Sequence, residues 1–384
     1  MIDLINPNVL ELMPYKAGRP VEEIQRLYNI EKVIKLASNE NPYPVPQYVA
    51  DAISGELANI HAYPCSDSYY LRERIARYNG VKPGNVVVGS GSVELIRMIA
   101  KTFLNPGRGD KVLTSDKTFV MYKIAAVEEG GNRAIVEVPL GTDYRYDLDR
   151  MVDAVDKQTK IIFIANPNNP TGTLLSKKEL QAFIDKIHGD VIIVLDNAYQ
   201  EYVTDAVDGA DAAAAADYFD GIETAVARKN IVVLRTFSKI YALAGLRVGY
   251  AIAHEEVISY LGRVKAPFNV TRLAQVAALA SLQDDEFKNK SARLNAVNRE
   301  RLFQRLSRLG LDVVPSKANF ILFFPRTDTN DLNERLLKEG VIIRPLHGFG
   351  FPDGIRVTVG TQEENDFFME KLEKVFKEMN RGLN

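Results

Sequence analysis

Residues 161–196 read IIFIANPNNPTGTLLSKKELQAFIDKIHGDVIIVLD, and in this stretch two short apolar runs flank one amphipathic run. The apolar runs, residues 161–165 and 191–195, are too short for helices and rich in Ile and Val. Neither run alternates apolar with polar residues, which is typical of parallel strands buried on both faces. Residues 177–187 have the helical spacing of apolar residues, so the stretch predicts a strand, a helix and a second strand parallel to the first.

Similar apolar runs recur on both sides of this unit, separated by segments that contain Gly, Pro, Asn or Ser. The further predicted strands are residues 85–88, 111–114, 134–138, 231–234 and 248–253. Helical patterns such as residues 93–104 lie between several of them. The pattern predicts a large α/β domain over residues 48–284, with a doubly wound, mostly parallel sheet.

The pattern of charged and apolar residues changes at about residue 284. Residues 286–309 form a long charged stretch with helical spacing, and apolar runs follow at residues 319–324 and 355–359. Residues 285–384 therefore predict a smaller α+β domain. Residues 1–47 are rich in Pro and Asn and predict an arm that also contributes to that smaller domain.

The composition argues against several classes of protein. The 48 basic and 50 acidic residues nearly cancel and form no block of like charge, so we expect neither a nucleic-acid nor a membrane partner. The N-terminus lacks signal-peptide features and no apolar run reaches about 18 residues, so we expect a cytoplasmic protein. The single cysteine, Cys65, excludes an internal disulfide, and the four histidines lack ligand spacing, so no metal site is predicted.

In an open α/β sheet, ligands bind at the carboxyl ends of the strands, so candidate site residues follow the predicted strands. After residues 85–88 the sequence continues Gly89, Ser90, Gly91, Ser92 and enters a predicted helix. A glycine-containing turn at a helix N-terminus presents backbone amides that favour an anion such as phosphate. The same turn is also common where a strand simply packs onto a helix, so both interpretations stay open.

Three other strand ends carry reactive side chains. Asn169 lies in the turn NPNNPTG, Asp196 follows the next strand with Tyr199 three residues later, and Lys239 follows the strand after that, with Arg247 eight residues beyond. Burial disfavours the ammonium form of a lysine, which helps to supply a free amine. Taken singly, the turn could be structural, the aspartate a helix cap and the lysine a surface residue.

Together the strand ends supply an amine, a carboxylate, an amide, a phenol, a serine, an arginine and an anion-binding helix start. Pyridoxal phosphate requires such a set: a lysine for its aldehyde, a carboxylate for its ring nitrogen, and fixed donors and positive charge for its phosphate. The coincidence of these groups predicts a site for pyridoxal 5′-phosphate.

The same residues resemble a known family. NPNNPTG, the step from Asp196 to Tyr199, and TFSKIYALAGLRVGY (residues 236–250) look like the fold type I aminotransferases. More narrowly, the sequence resembles the histidinol-phosphate aminotransferases and their aromatic aminotransferase relatives. The motifs that carry this narrower resemblance are LASNENPYPVP (36–46), Tyr63-Pro64 followed by Leu71-Arg72, APFNVTRLAQVAAL (266–279) and IRVTVGT (355–361). The resemblance spans nearly the whole chain.

The resemblance implies a role for each cofactor-binding position. Lys239 is implied to hold the cofactor as a Schiff base and then to carry the proton between the substrate α-carbon and the cofactor. Asp196 is implied to pair with the ring nitrogen, and Asn169 and Tyr199 to bind the phenolic oxygen. The remaining positions implied to contact the cofactor are Ser92 and Val93 through their amides, Ser238 and Arg247 at the phosphate, and Phe119 on the ring face.

For the substrate and the assembly, the resemblance implies a homodimer with shared active sites, because Tyr63 matches a tyrosine that reaches the phosphate from the neighbouring subunit. Arg356 matches the arginine that binds a substrate carboxylate, and Arg344 a second arginine near the substrate's anionic end. Tyr15 and Asn39 are the other implied substrate-binding residues.

The implied activity is reversible transfer of an amino group between L-histidinol phosphate and 2-oxoglutarate or glutamate, by a ping-pong mechanism in histidine biosynthesis. An aromatic amino acid is the alternative donor, and other fold type I enzymes such as lyases and decarboxylases share the cofactor chemistry. A regulator that only senses the cofactor would need a DNA-binding module, for which the chain has no length left. Departures from the family pattern at Ala17, His61, Val93 and Asn197 bear on the donor rather than on the reaction.

Overall fold

The computed structural model describes residues 4–14, 18–205 and 211–381. In these residues the strands, numbered along the chain, are β1 (Ile34–Lys35), β2 (Val86–Gly89), β3 (Lys111–Ser115), β4 (Ile135–Val138), β5 (Thr159–Ala165), β6 (Ile192–Asp196), β7 (Ile231–Thr236), β8 (Gly249–Ile252), β9 (Asp312–Val314), β10 (Phe320–Phe324), β11 (Val341–Ile342), β12 (Arg344–Pro345) and β13 (Ile355–Thr358). The helices are α1 (Pro7–Leu10), α2 (Val21–Tyr28), α3 (Gln47–Glu56), α4 (Tyr69–Tyr78), α5 (Gly91–Phe103), α6 (Met121–Gly130), α7 (Leu148–Asp153), α8 (Lys177–Lys186), α9 (Glu201–Thr204), α10 (Asp211–Ala216), α11 (Ile222–Ala227), α12 (Glu255–Val264), α13 (Arg272–Ser281), α14 (Glu286–Arg308), α15 (Thr329–Lys338) and α16 (Gln362–Arg381).

The central element is a seven-stranded sheet with the order β2-β8-β7-β6-β5-β3-β4. All neighbours are parallel except β8, which runs antiparallel to both β2 and β7. The mostly parallel α/β fold predicted from the apolar runs is therefore confirmed. The runs did not predict the reversed direction of β8, because an apolar segment has the same composition whichever way it runs.

Alternate residues of the central strands pack into two separate cores, as a doubly wound sheet requires. Ile161 and Phe163 of β5 pack in one cluster with residues of α5, α6 and α12. Ile162 and Ile164 pack on the other face, with residues of α7, α8 and α11. Burial on both faces explains why β5 reads as a continuous apolar run.

A second sheet is antiparallel, with the order β12-β13-β10-β9. It packs with α14, α15 and α16 around a separate apolar cluster. The segment before residue 47 reaches this region, because β1 pairs in parallel with β11. The domain boundaries at residues 47 and 284 stay a prediction.

The carboxyl ends of the central strands lie side by side. Ala165 at the end of β5 is opposite Asp196 at the end of β6, and Asp196 is opposite Leu234 near the end of β7. This register brings the residues that follow the three strands to one edge of the sheet. In the part of the chain that the structure describes, no helix has the length and apolar character needed to cross a membrane.

Candidate active site

A cavity of about 710 Å³ lies at this edge of the central sheet. Twelve of the candidate residues chosen from the sequence line it. They are Asn39, Ser92, Val93, Phe119, Asn169, Asp196, Tyr199, Ser238, Lys239, Arg247, Arg344 and Arg356. The residues chosen from the strand ends and those implied by the resemblance therefore line one cavity, although their positions are spread over more than 300 residues of sequence.

Asp196 ends β6 and is almost fully buried, with 4% of its surface exposed. The hydroxyl of Tyr122 donates a hydrogen bond to Asp196 Oδ2 at 2.7 Å, and the amide of Ala198 donates to Oδ1 at 3.1 Å. Burial raises the pKa of Asp196 to about 6, and the Tyr122 hydrogen bond opposes the rise. A carboxylate held in this way is oriented and is stabilised by a nearby cation.

Tyr122 also lines the cavity, and sequence reasoning missed it. It is fully buried in α6, and its ring stacks on Phe163 with the centroids 4.6 Å apart. The ring of Phe119 packs edge to face against the Tyr122 ring, with the centroids 5.7 Å apart. A tyrosine three residues after Phe119 was the available signal, but a buried aromatic in a helix usually indicates only core packing.

Lys239 follows β7 and reaches into the cavity, where its ammonium group donates to the carbonyl of Ser38 at 3.1 Å. Burial, followed by the positive charge of Arg356, lowers the pKa of Lys239 to about 7. Near neutral pH a large share of this side chain is therefore the free amine, which is the nucleophilic form.

The N-terminus of α5 forms one end of the cavity. The preceding residue, Ser90, makes no side-chain capping bond, so the first amides of the helix are available to a ligand. Gly91 has φ +73°, and a Cβ atom there would collide with the guanidinium of Arg247. Arg247 is itself held by hydrogen bonds to Ser238 Oγ at 3.2 Å and the carbonyl of Ala244 at 3.1 Å. The turn thus combines helix amides with a fixed positive charge, which suits phosphate.

A second positive region lies on the antiparallel sheet. Arg344 and Arg356 are direct cross-strand partners on β12 and β13, and each guanidinium lies 5.7 Å from the ring of Phe349. Arg356 is buried, donating to Asn169 Oδ1 and, at 2.9 Å, to the carbonyl of Ala37. Two guanidinium groups side by side in a cavity suit an anionic ligand such as a carboxylate or a phosphate.

Asn39 connects the two sides of the cavity. Its side-chain amide donates to the hydroxyl of Tyr199 at 3.0 Å, and its backbone amide donates to Thr358 Oγ1 at 2.9 Å. The side-chain oxygen accepts from Thr358 at 3.3 Å. These bonds hold the Tyr199 hydroxyl in place, and the implied contact of Asn39 with substrate stays a prediction.

Two candidate residues are not among those that line the cavity. Tyr63 is 78% exposed in the single chain and stacks on Phe268 with the ring centroids 4.5 Å apart. Tyr15 lies outside the described residues. The sequence also did not predict Arg97, Ile124 and Glu128, which line the cavity from α5 and α6.

Comparison with known proteins gives consistent results. The sequence profile described as aminotransferase class I and II matches residues 31–372. A histidinol-phosphate aminotransferase from Anaeromyxobacter sp. (strain Fw109-5) is 43% identical over 373 residues, which cover 97% of this chain and 99% of that protein. One from Moorella thermoacetica is 41% identical over 368 residues, covering 96% and 92%.

Among solved structures, histidinol-phosphate aminotransferase from Sinorhizobium meliloti, in complex with pyridoxal-5′-phosphate, superposes with a TM-score of 0.86 over 98% of each chain. Its sequence identity to this chain is 24%, so this likeness supports the fold alone.

Proposed function

The chain belongs to the aminotransferase class I and II family, and we propose that it transfers the amino group between L-histidinol phosphate and 2-oxoglutarate, with pyridoxal 5′-phosphate as cofactor. The observation that carries the proposal is the presence of two positively charged regions in one cavity. One is the α5 N-terminus with Arg247, and the other is the Arg344 and Arg356 pair. The phosphate of the cofactor and the phosphate of the substrate each require a positively charged region of this kind.

The cavity residues fit the proposed cofactor. The collision that a Cβ atom on Gly91 would cause shows how closely Arg247 approaches the first amides of α5. Ser92, Val93, Ser238 and Arg247 would hold the phosphate there. When bound, the cofactor supplies an aldehyde and a pyridinium ring that stabilises negative charge at the substrate α-carbon.

Four side chains of the cavity would contact the ring. Asp196 is the buried carboxylate available to the ring nitrogen, and Tyr122 fixes its orientation through the 2.7 Å hydrogen bond. Asn169 and Tyr199 are the amide and phenol for the phenolic oxygen, and the ring of Phe119 would cover one face. Asp196 retains its charge next to a protonated ring nitrogen, because opposite charge favours the ionised carboxylate.

Lys239 is the base of the proposed reaction. Its pKa of about 7 makes the amine available both to hold the cofactor and, once released, to accept the proton from the substrate α-carbon. The bond from its ammonium form to Ser38 O keeps the side chain within the cavity. In the proposed reaction Lys239 would transfer the proton on one face of the cofactor.

Arg344 and Arg356 would bind the phosphate monoester of histidinol phosphate in one half of the reaction and the carboxylates of 2-oxoglutarate or glutamate in the other. Guanidinium forks match both groups. Both substrates would occupy this region and react with the same cofactor, so they must bind one after the other. The proposed mechanism is therefore ping-pong. The reaction is a step of histidine biosynthesis, and a cytoplasmic location belongs to the same proposal.

An aromatic amino acid is the second candidate donor. Val93 favours it, because an apolar side chain lies in the cavity where the family pattern has Asp. A phenyl ring makes no use of two arginines, however, so the cross-strand pair favours the phosphorylated donor. The proposal is tested by supplying histidinol phosphate and 2-oxoglutarate and measuring glutamate. Glutamate formed from phenylalanine but not from histidinol phosphate would contradict it.

A homodimer with shared active sites is also part of the proposal. Tyr63, Ile60, Tyr70 and Phe268 are exposed apolar side chains in one chain, and such a group is typical of a protein interface. Tyr63 would reach the phosphate region of the partner subunit. The test mixes the Lys239→Ala and Tyr63→Ala variants and compares the activity of the mixed dimers with that of each variant alone. A shared site predicts recovered activity, because every mixed dimer contains one site with both Lys239 and Tyr63 intact. Failure to recover activity in verified mixed dimers would contradict the sharing.

A further inference from the structure

Part of the cavity is lined by Arg97, Ile124 and Glu128, which have no role in the proposed binding of the cofactor or of the substrate phosphate, and Val93 borders it. This part is walled by α5 and α6, which pack against each other, and we call it the helical lobe. Val93 and Arg97 are four residues apart on α5, and Ile124 and Glu128 are four residues apart on α6. This spacing puts each pair on one face of its helix. Since α5 rises 1.5 Å per residue, the lobe runs about 6 Å outward from Val93 to Arg97.

The segment 4–14 covers the helical lobe. Val9 and Leu12 line the cavity from this segment. The segment is attached to the end of α6, because Asn8 donates a side-chain hydrogen bond to the carbonyl of Glu128 at 3.3 Å. The carboxylate of Glu11 accepts a bond from the amide of Asn132. The lobe is therefore bounded by α5, by α6 and by the segment 4–14.

The outer end of the helical lobe is polar. Arg97 donates to both oxygens of Glu128, from Nε at 2.9 Å and from Nη2 at 2.6 Å. A pair that is partly open to solvent contributes little to stability. The fork uses one lone pair on each carboxylate oxygen and fixes the side chain, so Glu128 keeps acceptor sites for a further donor. An apolar channel that ends in a fixed acceptor fits a flat ring carrying an N–H group.

We infer that the helical lobe binds the side chain of the amine donor and that Glu128 determines specificity by accepting a hydrogen bond from a ring N–H of a heteroaromatic donor. The inference rests on the proposed function, since an imidazole ring carries such an N–H in either protonation state. Val9, Leu12 and Ile124 contact the carbon atoms of any ring and favour none. Arg97 acts as a positioning residue, because it holds the carboxylate.

The test compares histidinol phosphate with phenylalanine as donors for the holoenzyme. Glu128→Ala removes the acceptor, and we expect the specificity constant for histidinol phosphate to fall about tenfold, mainly through KM, while that for phenylalanine stays within about twofold. Glu128→Gln keeps an uncharged acceptor and should recover part of the loss. If the alanine variant fails to fold, the glutamine variant is used for the same comparison of the two donors. Glu129→Ala is the matched control, since this neighbouring glutamate is not among the residues that line the cavity.

The possible failures are distinguishable. Wild-type enzyme that prefers phenylalanine contradicts the proposed function, whatever the variants do. Wild-type enzyme that prefers histidinol phosphate, with equal losses for both donors in Glu128→Ala or no loss at all, contradicts the role of Glu128 and leaves the proposed function standing. Ile124→Ala should weaken both donors alike, and a loss confined to histidinol phosphate would overturn the assignment of Ile124 as an unselective wall.

Discussion

At the scale of single residues, Lys239 is distinguished by its place in the cavity and a pKa lowered to about 7. We predict that Lys239→Ala abolishes both turnover and the covalent attachment of the cofactor, because it removes the amine that both require. The measurement is the mass of the protein after incubation with pyridoxal phosphate and borohydride, which fixes the cofactor on the lysine.

The control for this variant is Lys265→Ala. Burial also lowers the pKa of Lys265, but this lysine donates to the carbonyl of Ser66 and is not among the cavity-lining residues. Its removal should leave the fixed cofactor in place. A fixed cofactor in Lys239→Ala at the wild-type level would show that another amine holds it.

The lowered pKa of Lys239 also predicts a pH dependence. Only the neutral amine attacks an aldehyde, and this form predominates above a pKa of about 7. Covalent attachment of pyridoxal phosphate to the cofactor-free protein should therefore accelerate as pH rises and level off above about 7. The rate of the absorbance change reports this directly. A rate that still rises towards pH 10 would mean that the lysine has its ordinary pKa.

Asp196 and Tyr122 should differ in their effects. Asp196→Ala removes the partner of the ring nitrogen and should slow kcat by roughly a hundredfold, about 2.7 kcal/mol of barrier. Tyr122→Phe keeps the ring packed on Phe163 and removes only the 2.7 Å hydrogen bond, so a smaller loss of roughly tenfold is expected. Steady-state kinetics of both variants check the order. A loss below about tenfold in Asp196→Ala would show that this carboxylate is not the ring's partner.

At the scale of elements, the start of α5 depends on the absence of a side chain at Gly91. We predict that Gly91→Ala weakens cofactor binding by at least about tenfold, because the new methyl group displaces Arg247 and the backbone has φ +73°. Equilibrium titration with pyridoxal phosphate measures the effect.

Gly262→Ala is the control for that substitution. Gly262 lies in α12 with open space around its Cβ position, so alanine there should leave cofactor affinity unchanged and stabilise the helix slightly. Unchanged affinity in Gly91→Ala would contradict the phosphate-binding role of this turn.

The elements also show what sequence patterns can predict. Strand ends in a parallel sheet meet at one edge, so the positions of Asn169, Asp196 and Lys239 could be predicted from the apolar runs that precede them. The pairing of Arg344 with Arg356 could not be predicted in this way, because it depends on the register of two antiparallel strands. Tyr122 was missed for a different reason, since its burial resembles ordinary core packing.

At the scale of the whole molecule, the site depends on contacts between distant parts of the chain. Asn39 donates to Tyr199 across 160 residues of sequence, and Arg356 donates to the carbonyl of Ala37. One apolar cluster contains Tyr199 next to the central sheet together with Phe320 of the antiparallel sheet. These contacts carry both the predicted cofactor residues and the predicted substrate arginines into one cavity, which explains why local patterns alone could not define its substrate end.

The central claim, that the donor is histidinol phosphate, is tested most directly by a single half-reaction. The holoenzyme is mixed rapidly with histidinol phosphate, phenylalanine or tyrosine, without any oxo acid, and the loss of the cofactor's aldehyde absorbance is followed. We predict the highest specificity constant for histidinol phosphate, and a selective loss of that preference in Arg344→Ala. A higher specificity constant for phenylalanine or tyrosine, or equal weakening of all three donors in Arg344→Ala, would contradict the claim.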